Sequence, residues 1–210
     1  MVVLPIAYAP PIWWMKSLLF DGEVLLEANE SFNKQTIRSK CAIRTPQGLR
    51  WLAIPVNKNA QKDNICKAAI SYAEDWQRVH WRSIATSYGN TPYFDYLAPE
   101  LEPLYHKKVD TLWEFNHQIL NLLLDWLQVC PALGYTEIFH GISQITELIK
   151  PKPTEQSIRQ GLPNTFTSVE MLKHWSWISM FDLIFHEGPN AYDWLRKLHI
   201  ESHQKSIEPL

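Results

Sequence analysis

Residues 33–56 read NKQTIRSKCAIRTPQGLRWLAIPV, two extended runs split by a turn signal. Thr45-Pro46-Gln47-Gly48 places Pro second and Gly fourth, the pattern of a type I turn. A hairpin is therefore expected here. With side chains alternating along a strand, Lys34, Thr36, Arg38, Lys40 and Arg44 share one face, and Ile37, Cys41 and Ile43 the other. One side can pack on a core while the other presents cations about 7 Å apart. The return strand, 49–56, is mostly apolar and stops near Pro55.

Charge sharpens this reading. The chain of 210 residues has a formal net charge of -2. Between Ser31 and Lys67 it carries eight Lys or Arg and one acid, Asp63, so that segment is +7 and the remainder -9. A cationic zone in a mildly acidic protein is what an anionic ligand needs, and it is equally what a solvated strand face looks like. Nothing global points to nucleic acid. A basic strand without stacking aromatics on its own face is a poor single-strand platform.

Size and composition favour a single domain with a sizeable core, rich in aromatics, of which ten are Trp. Cys41, Cys66 and Cys130 are odd in number and far apart, so they form neither a disulfide framework nor a CxxC metal site. A reduced, cytoplasmic setting is expected, with Cys41 a buried small hydrophobe. The apolar start, MVVLPIAYAPPIWWMKSLLF, lacks a basic opening and is interrupted by Pro5, Pro10 and Pro11. Neither a signal peptide nor a membrane anchor is expected.

Along the chain, a strand over 2–8, a helix over 12–20 and a strand over 24–28 suggest a βαβ opening. After the hairpin, 65–72 reads as a strand. From Asp75 the spacing of Trp76, Val79, His80, Ser83, Ile84, Ser87 and Tyr88 is that of one helix face, ended by Gly89. Short helical segments follow near 91–94 and 99–105. Residues 109–129 form the clearest helix, with Leu112, Phe115, Ile119, Leu122, Leu123 and Trp126 as its apolar stripe and Asp110 in its first turn. A strand is expected over 136–139, a helical turn over 143–149 and a helix over 168–175. Ser179 with Asp182 three residues on opens another helix. Gly188-Pro189 ends it and starts the last, 190–198. The expectation is an α+β single domain over 1–198, a mixed β-sheet with a β-hairpin packed against several helices, and a polar tail over 199–210.

Familiar chemistry is missing. The seven glycines make no phosphate loop, and there is no HExxH, CxxC or GxSxG. Asp182 and His186 share a helix face, but Asp182 is also explained as an N-terminal helix acid; no metal site is expected. His80 lies on an apolar face, as a core histidine or a general base. Asn116 interrupts the long helix's stripe, tying down a neighbouring backbone or facing a polar cavity. Tyr8 stands at the carboxyl end of the first strand, where open α/β sheets place ligands.

Five segments in order give the chain a resemblance to the WbqC-like protein family: Ala7-Tyr8-Ala9-Pro10-Pro11-Ile12; Asn33-Lys34-Gln35-Thr36-Ile37-Arg38; Leu52-Ala53-Ile54-Pro55-Val56; the W…H…I…YG…PYF pattern over 76–94; and SMFDLIFHEGP over 179–189. Where the family usually follows the strand arginine with Asn-Arg, this chain has Ser39-Lys40. The resemblance implies a setting in surface-polysaccharide and O-antigen gene clusters, and a glycine transferase role has been suggested for a member. That agrees with the charge argument, since activated sugars carry diphosphates. The expected function is a transferase of polysaccharide or amino-sugar modification. Lys34, Arg38 and Lys40, with Gln35 among them, would hold the anionic part of a donor or acceptor such as a nucleotide sugar. His80 would be the proton acceptor, and Tyr8 or Asn116 would orient the substrate. The alternative is a non-catalytic ligand-binding or assembly protein of the same pathway. No motif names a cofactor.

Overall fold

The computed structural model describes residues 1–57, 64–140 and 177–205, with the backbone alone over 199–205. The βαβ opening forms: β1 (Val2–Pro5), α1 (Ile12–Phe20) and β2 (Val24–Glu27). Val2 pairs with Val24 and Leu4 with Leu26, in parallel, and β5 (Leu133–Tyr135) adds parallel to the other side of β2. Leu4 and Leu26 are fully buried, as strands covered on both faces require. Helix α1 is apolar nearly all round and buries Trp13, Trp14, Met15 and Leu18. Trp14 Nε1 donates to the Pro5 carbonyl at 2.9 Å, locking the helix to the end of β1.

The hairpin is β3 (Lys40–Thr45) and β4 (Gly48–Ala53), antiparallel, with Lys40 opposite Ala53 and Thr45 opposite Gly48. The expected mixed sheet is thus two small sheets, three parallel strands and a two-stranded hairpin, within the α+β class. They are joined through Ile178, Ser179 and Met180. Ile12 N–H donates to the Ile178 carbonyl, Ser179 N–H to that of Ala42, and Met180 N–H to that of Pro10. This late segment lies between the approach to α1 and strand β3. With α2 packed on it as well, β3 is buried from Cys41 to Arg44.

The long basic strand over 34–44 does not form. Regular pairing starts at Lys40, and residues 34–39 are turns. Gln35 has φ +62°, which breaks a period of two. Thr36 Oγ1 donates to the Asn33 carbonyl at 2.9 Å, and the Ser39 and Lys40 amides return to the Thr36 carbonyl. Local hydrogen bonds from Asn and Thr outcompete extension here.

The helices are α2 (Trp76–Tyr88), α3 (Phe94–Leu101), α4 (Leu112–Trp126), α5 (Met180–Glu187) and α6 (Ala191–Lys205). α4 starts later than its apolar period suggests because Thr111 caps it, accepting from the Glu114 amide at 3.2 Å. Its buried stripe includes Leu120 and Leu124 in place of Leu122 and Trp126. Ser179 caps α5 as expected, accepting from the Phe181 amide. Residues 65–72 form a short 3-10 turn (Ile65–Lys67) and single bridges rather than a strand. The strand expected at 136–139 lies three residues earlier, at 133–135, and the Thr136 amide only continues it by donating to the Leu26 carbonyl. α6 runs past 198 to Lys205. The helical turn expected over 143–149 and the helix over 168–175 lie outside the described residues. Among the described residues, no helix is long and apolar enough to cross a membrane.

Candidate functional site

The carboxyl end of β1 leads into Ile6, Ala7 and Tyr8, and the Tyr8 amide donates to the Ile37 carbonyl at 2.8 Å. This brings the 33–40 turn onto the edge of the parallel sheet where open α/β folds hold ligands. From the opposite side, α4 presents Asn116, whose Nδ2 donates to the Arg38 carbonyl at 2.8 Å. Asn116 Oδ1 is buried without a partner. The structural alternative for Asn116, a side chain that ties down backbone, is the contact it makes.

Behind the turn, Tyr8 is the centre of a buried hydrogen-bonded group. Its hydroxyl lies 2.9 Å from His80 Nδ1 and 2.9 Å from the Tyr105 hydroxyl, and the Cys41 thiol lies within reach. Burial lowers the His80 pKa to about 4. A hydrogen bond to the Ala53 backbone opposes this, which makes the partner there the carbonyl and the ring nitrogen a donor. Nδ1 of neutral His80 therefore bears the lone pair and accepts from Tyr8. Burial, then the neighbouring Tyr105 and Cys41, raise the Tyr8 pKa well above its usual value. Trp76 and Phe115 enclose the group, their rings 5.1 Å from His80 and 6.0 Å from Tyr8 respectively. His80 itself is 4 % exposed.

The cations divide into two kinds. Arg38 turns inward: Nε donates to Glu30 Oε1 at 2.7 Å, a second nitrogen meets Glu30 Oε2, and the third donates to Thr36 Oγ1. Arg44 also turns inward, donating to Asp182 Oδ1 at 2.9 Å, with His186 beside it. The Tyr88 hydroxyl accepts from the Arg44 amide at 3.1 Å. Burial raises the pKa of Glu30 and of Asp182 despite these arginines. Asp182 and His186 do share a helix face, and what they meet there is a guanidinium. Among the described residues, no group of three His, Cys, Asp or Glu is arranged to hold a metal ion.

Lys34, Lys40 and Arg50 are the other kind. Lys34 and Arg50 are exposed, Lys40 is half-buried, and none has a carboxylate partner among the described residues. Lys40 Nζ donates instead to Gln35 Oε1. Arg50 is near enough to His80 to disfavour a second positive charge there. So Tyr8 and Asn116 bond the backbone of the 33–40 turn, His80 stands behind Tyr8, and Lys34, Gln35 and Lys40 lie on the turn, while the Arg38 guanidinium faces the interior.

Sequence reasoning missed Tyr105, Glu30 and Glu27. Tyr105 lies in a short 3-10 turn with no polar pattern to mark it. Glu30 precedes its arginine by eight residues in an irregular loop. Glu27, fully buried at the end of β2, accepts from the Asn29 amide, Thr136 Oγ1 and the His140 amide, and so fastens the loop after β5 to the sheet.

No solved structure matches this chain. It is 23% identical over 220 residues to the uncharacterized protein Rv1507c of Mycobacterium tuberculosis, an alignment covering 90% of this chain and 94% of that protein. The sequence model of the WbqC-like protein family matches residues 7–149, more than half of the chain and the part that contains the turn, His80 and Asn116. The chain belongs to the WbqC-like protein family.

Proposed function

We propose that this protein binds an anionic small molecule at the 33–40 turn and transfers a group in the making or modification of a surface polysaccharide. The observation that carries the reading is the division of the cations. Arg38 and Arg44 have internal carboxylates, while Lys34, Lys40 and Arg50 have none among the described residues. Lys34 and Lys40 hold the anion, a diphosphate or carboxylate of a nucleotide sugar or acyl donor. Two charge-assisted contacts at about 1.5–3 kcal/mol each support such binding. Arg38 and Asn116 hold the turn from below. His80, neutral and hydrogen-bonded to the Tyr8 hydroxyl, is the proton acceptor of this reading.

A second reading has its own observation. Both His80 nitrogens are engaged and the ring is 4 % exposed, which suits a non-catalytic ligand-binding protein of the same pathway. Calorimetric titration with nucleotide sugars, aminoacyl donors and pyrophosphate, followed by mass spectrometry of the products, separates the two. Lys34→Ala/Lys40→Ala should weaken binding at least tenfold while changing stability by less than about 0.5 kcal/mol, as for surface changes. Unchanged affinity in that variant defeats the anion reading. Turnover that His80→Gln abolishes supports the enzyme; binding without turnover supports the binder.

A further inference from the structure

The turn that bears the open lysines is closed on itself. Lys34 and Gln35 are its central residues, and Gln35 has φ +62°, a conformation that favours Gly or Asn. A glutamine there is costlier than glycine unless its side chain has a use. Its Oε1 accepts from Lys40 Nζ, five residues on. A neutral amide oxygen thus occupies, in an exposed contact, one donor position of the Lys40 ammonium, which has no carboxylate partner among the described residues.

We infer that Gln35 is an internal stand-in for the ligand. Its amide oxygen takes the position on Lys40 that a ligand oxyanion fills, and binding exchanges a neutral acceptor for a charged one. This rests on the anion-binding reading above and narrows it to phosphate-type groups. The one arginine of the 33–40 turn, Arg38, whose planar fork suits carboxylates, already meets Glu30. The open pair on the turn are ammoniums, point charges without that planar preference, which suit a tetrahedral oxyanion. A residue that contacts ligand directly lowers affinity when removed; a stand-in raises it.

The test is calorimetric titration of inorganic pyrophosphate into the full chain at fixed ionic strength. Gln35→Gly, which accepts the left-handed backbone and removes the amide, should bind at least threefold tighter than the parent. Gln35→Glu, which gives Lys40 an internal carboxylate, should bind at least tenfold weaker. Lys40→Ala should weaken binding and cancel the gain of Gln35→Gly. If Lys40→Ala weakens binding but Gln35→Gly equals or falls below the parent, the stand-in role is wrong and the anion site survives. If the parent does not bind pyrophosphate, the phosphate-type site and the stand-in fail and only a carboxylate site survives; if Lys40→Ala leaves the affinity unchanged, the stand-in and the Lys40 anion site fail together.

Discussion

Asn116 on the long helix donates to the backbone carbonyl of Arg38 at 2.8 Å, across 78 positions of sequence. The same residue's guanidinium grips Glu30, so Arg38 is held at both its backbone and its side chain. The turn above it is therefore anchored in the interior, although its lysines reach solvent.

Arg38→Ala should consequently unfold the protein more easily. Removing one partner of a buried pair leaves the other charge uncompensated, at a cost of about 3–5 kcal/mol. Urea denaturation measures it. Glu30→Gln/Arg38→Met should recover most of the loss, because no buried charge remains. A sequence-based view of Arg38 as a solvent-facing ligand contact predicts the reverse, weaker anion binding at an unchanged melting temperature.

His80 gives stability a pH dependence of definite sign. Its folded pKa, about 4, lies below the ordinary histidine value of 6.5. Above pH 6.5 neither state binds the proton. As pH falls from 6.5 towards 4, the unfolded chain takes it up and the native state does not, so stability is lost. Below 4 both bind it and the loss levels off. The span amounts to about 3 kcal/mol. In His80→Gln, which keeps an acceptor for Tyr8, that part of the pH dependence should vanish. A curve parallel to the parent's between pH 4 and 6.5 would show that His80 is not the group responsible.

The thiols should react in order of burial. Cys130 is exposed, Cys66 is half-buried with its Sγ donating to the Ala28 carbonyl, and Cys41 is buried. Burial pushes the Cys41 thiol far above its ordinary pKa. An Ellman titration of native protein should label Cys130 at once and Cys66 slowly, with Cys41 labelled only in denaturant. Prompt labelling of Cys41 would contradict the packing around Tyr8.

Gly188→Ala should be costly in a way Gly22→Ala is not. Both glycines have positive φ, +53° and +89°. A Cβ on Gly188 would lie 2.4 Å from Tyr93 Cε1, whereas one on Gly22 meets nothing within 4 Å. Backbone strain alone costs Gly22→Ala about 1 kcal/mol, and strain with a clash costs Gly188→Ala about 2–4 kcal/mol. Thermal denaturation of the two variants compares them directly.

The parts legible in the sequence were those set by periodicity and turn chemistry. Helix α2 could be read from its apolar spacing and Gly89, the hairpin from Thr45-Pro46-Gln47-Gly48, and α5 from Ser179. The basic strand was misread because alternation of residue types resembles an extended chain even where the backbone turns. Gln35 in the left-handed region carries no sequence signal, since glycine or asparagine would be expected there. The pairing of Arg38 with Glu30 and of Arg44 with Asp182 depends on tertiary contact, so composition shows the cations and hides their partners. His80 and Tyr8 were each singled out, but the bond between them spans 72 positions and follows only from how α2 packs on β3.

Ile178, Ser179 and Met180 are hydrogen-bonded on one side to the start of the first helix and on the other to the hairpin. These residues emerge from the ribosome after every strand of the described residues has been made. A nascent chain halted before residue 178 lacks these three hydrogen bonds and the α5 cover of β3, so this part of the closure waits until synthesis is nearly finished. During that interval the exposed hairpin is the surface on which chaperones, or aggregation, would act.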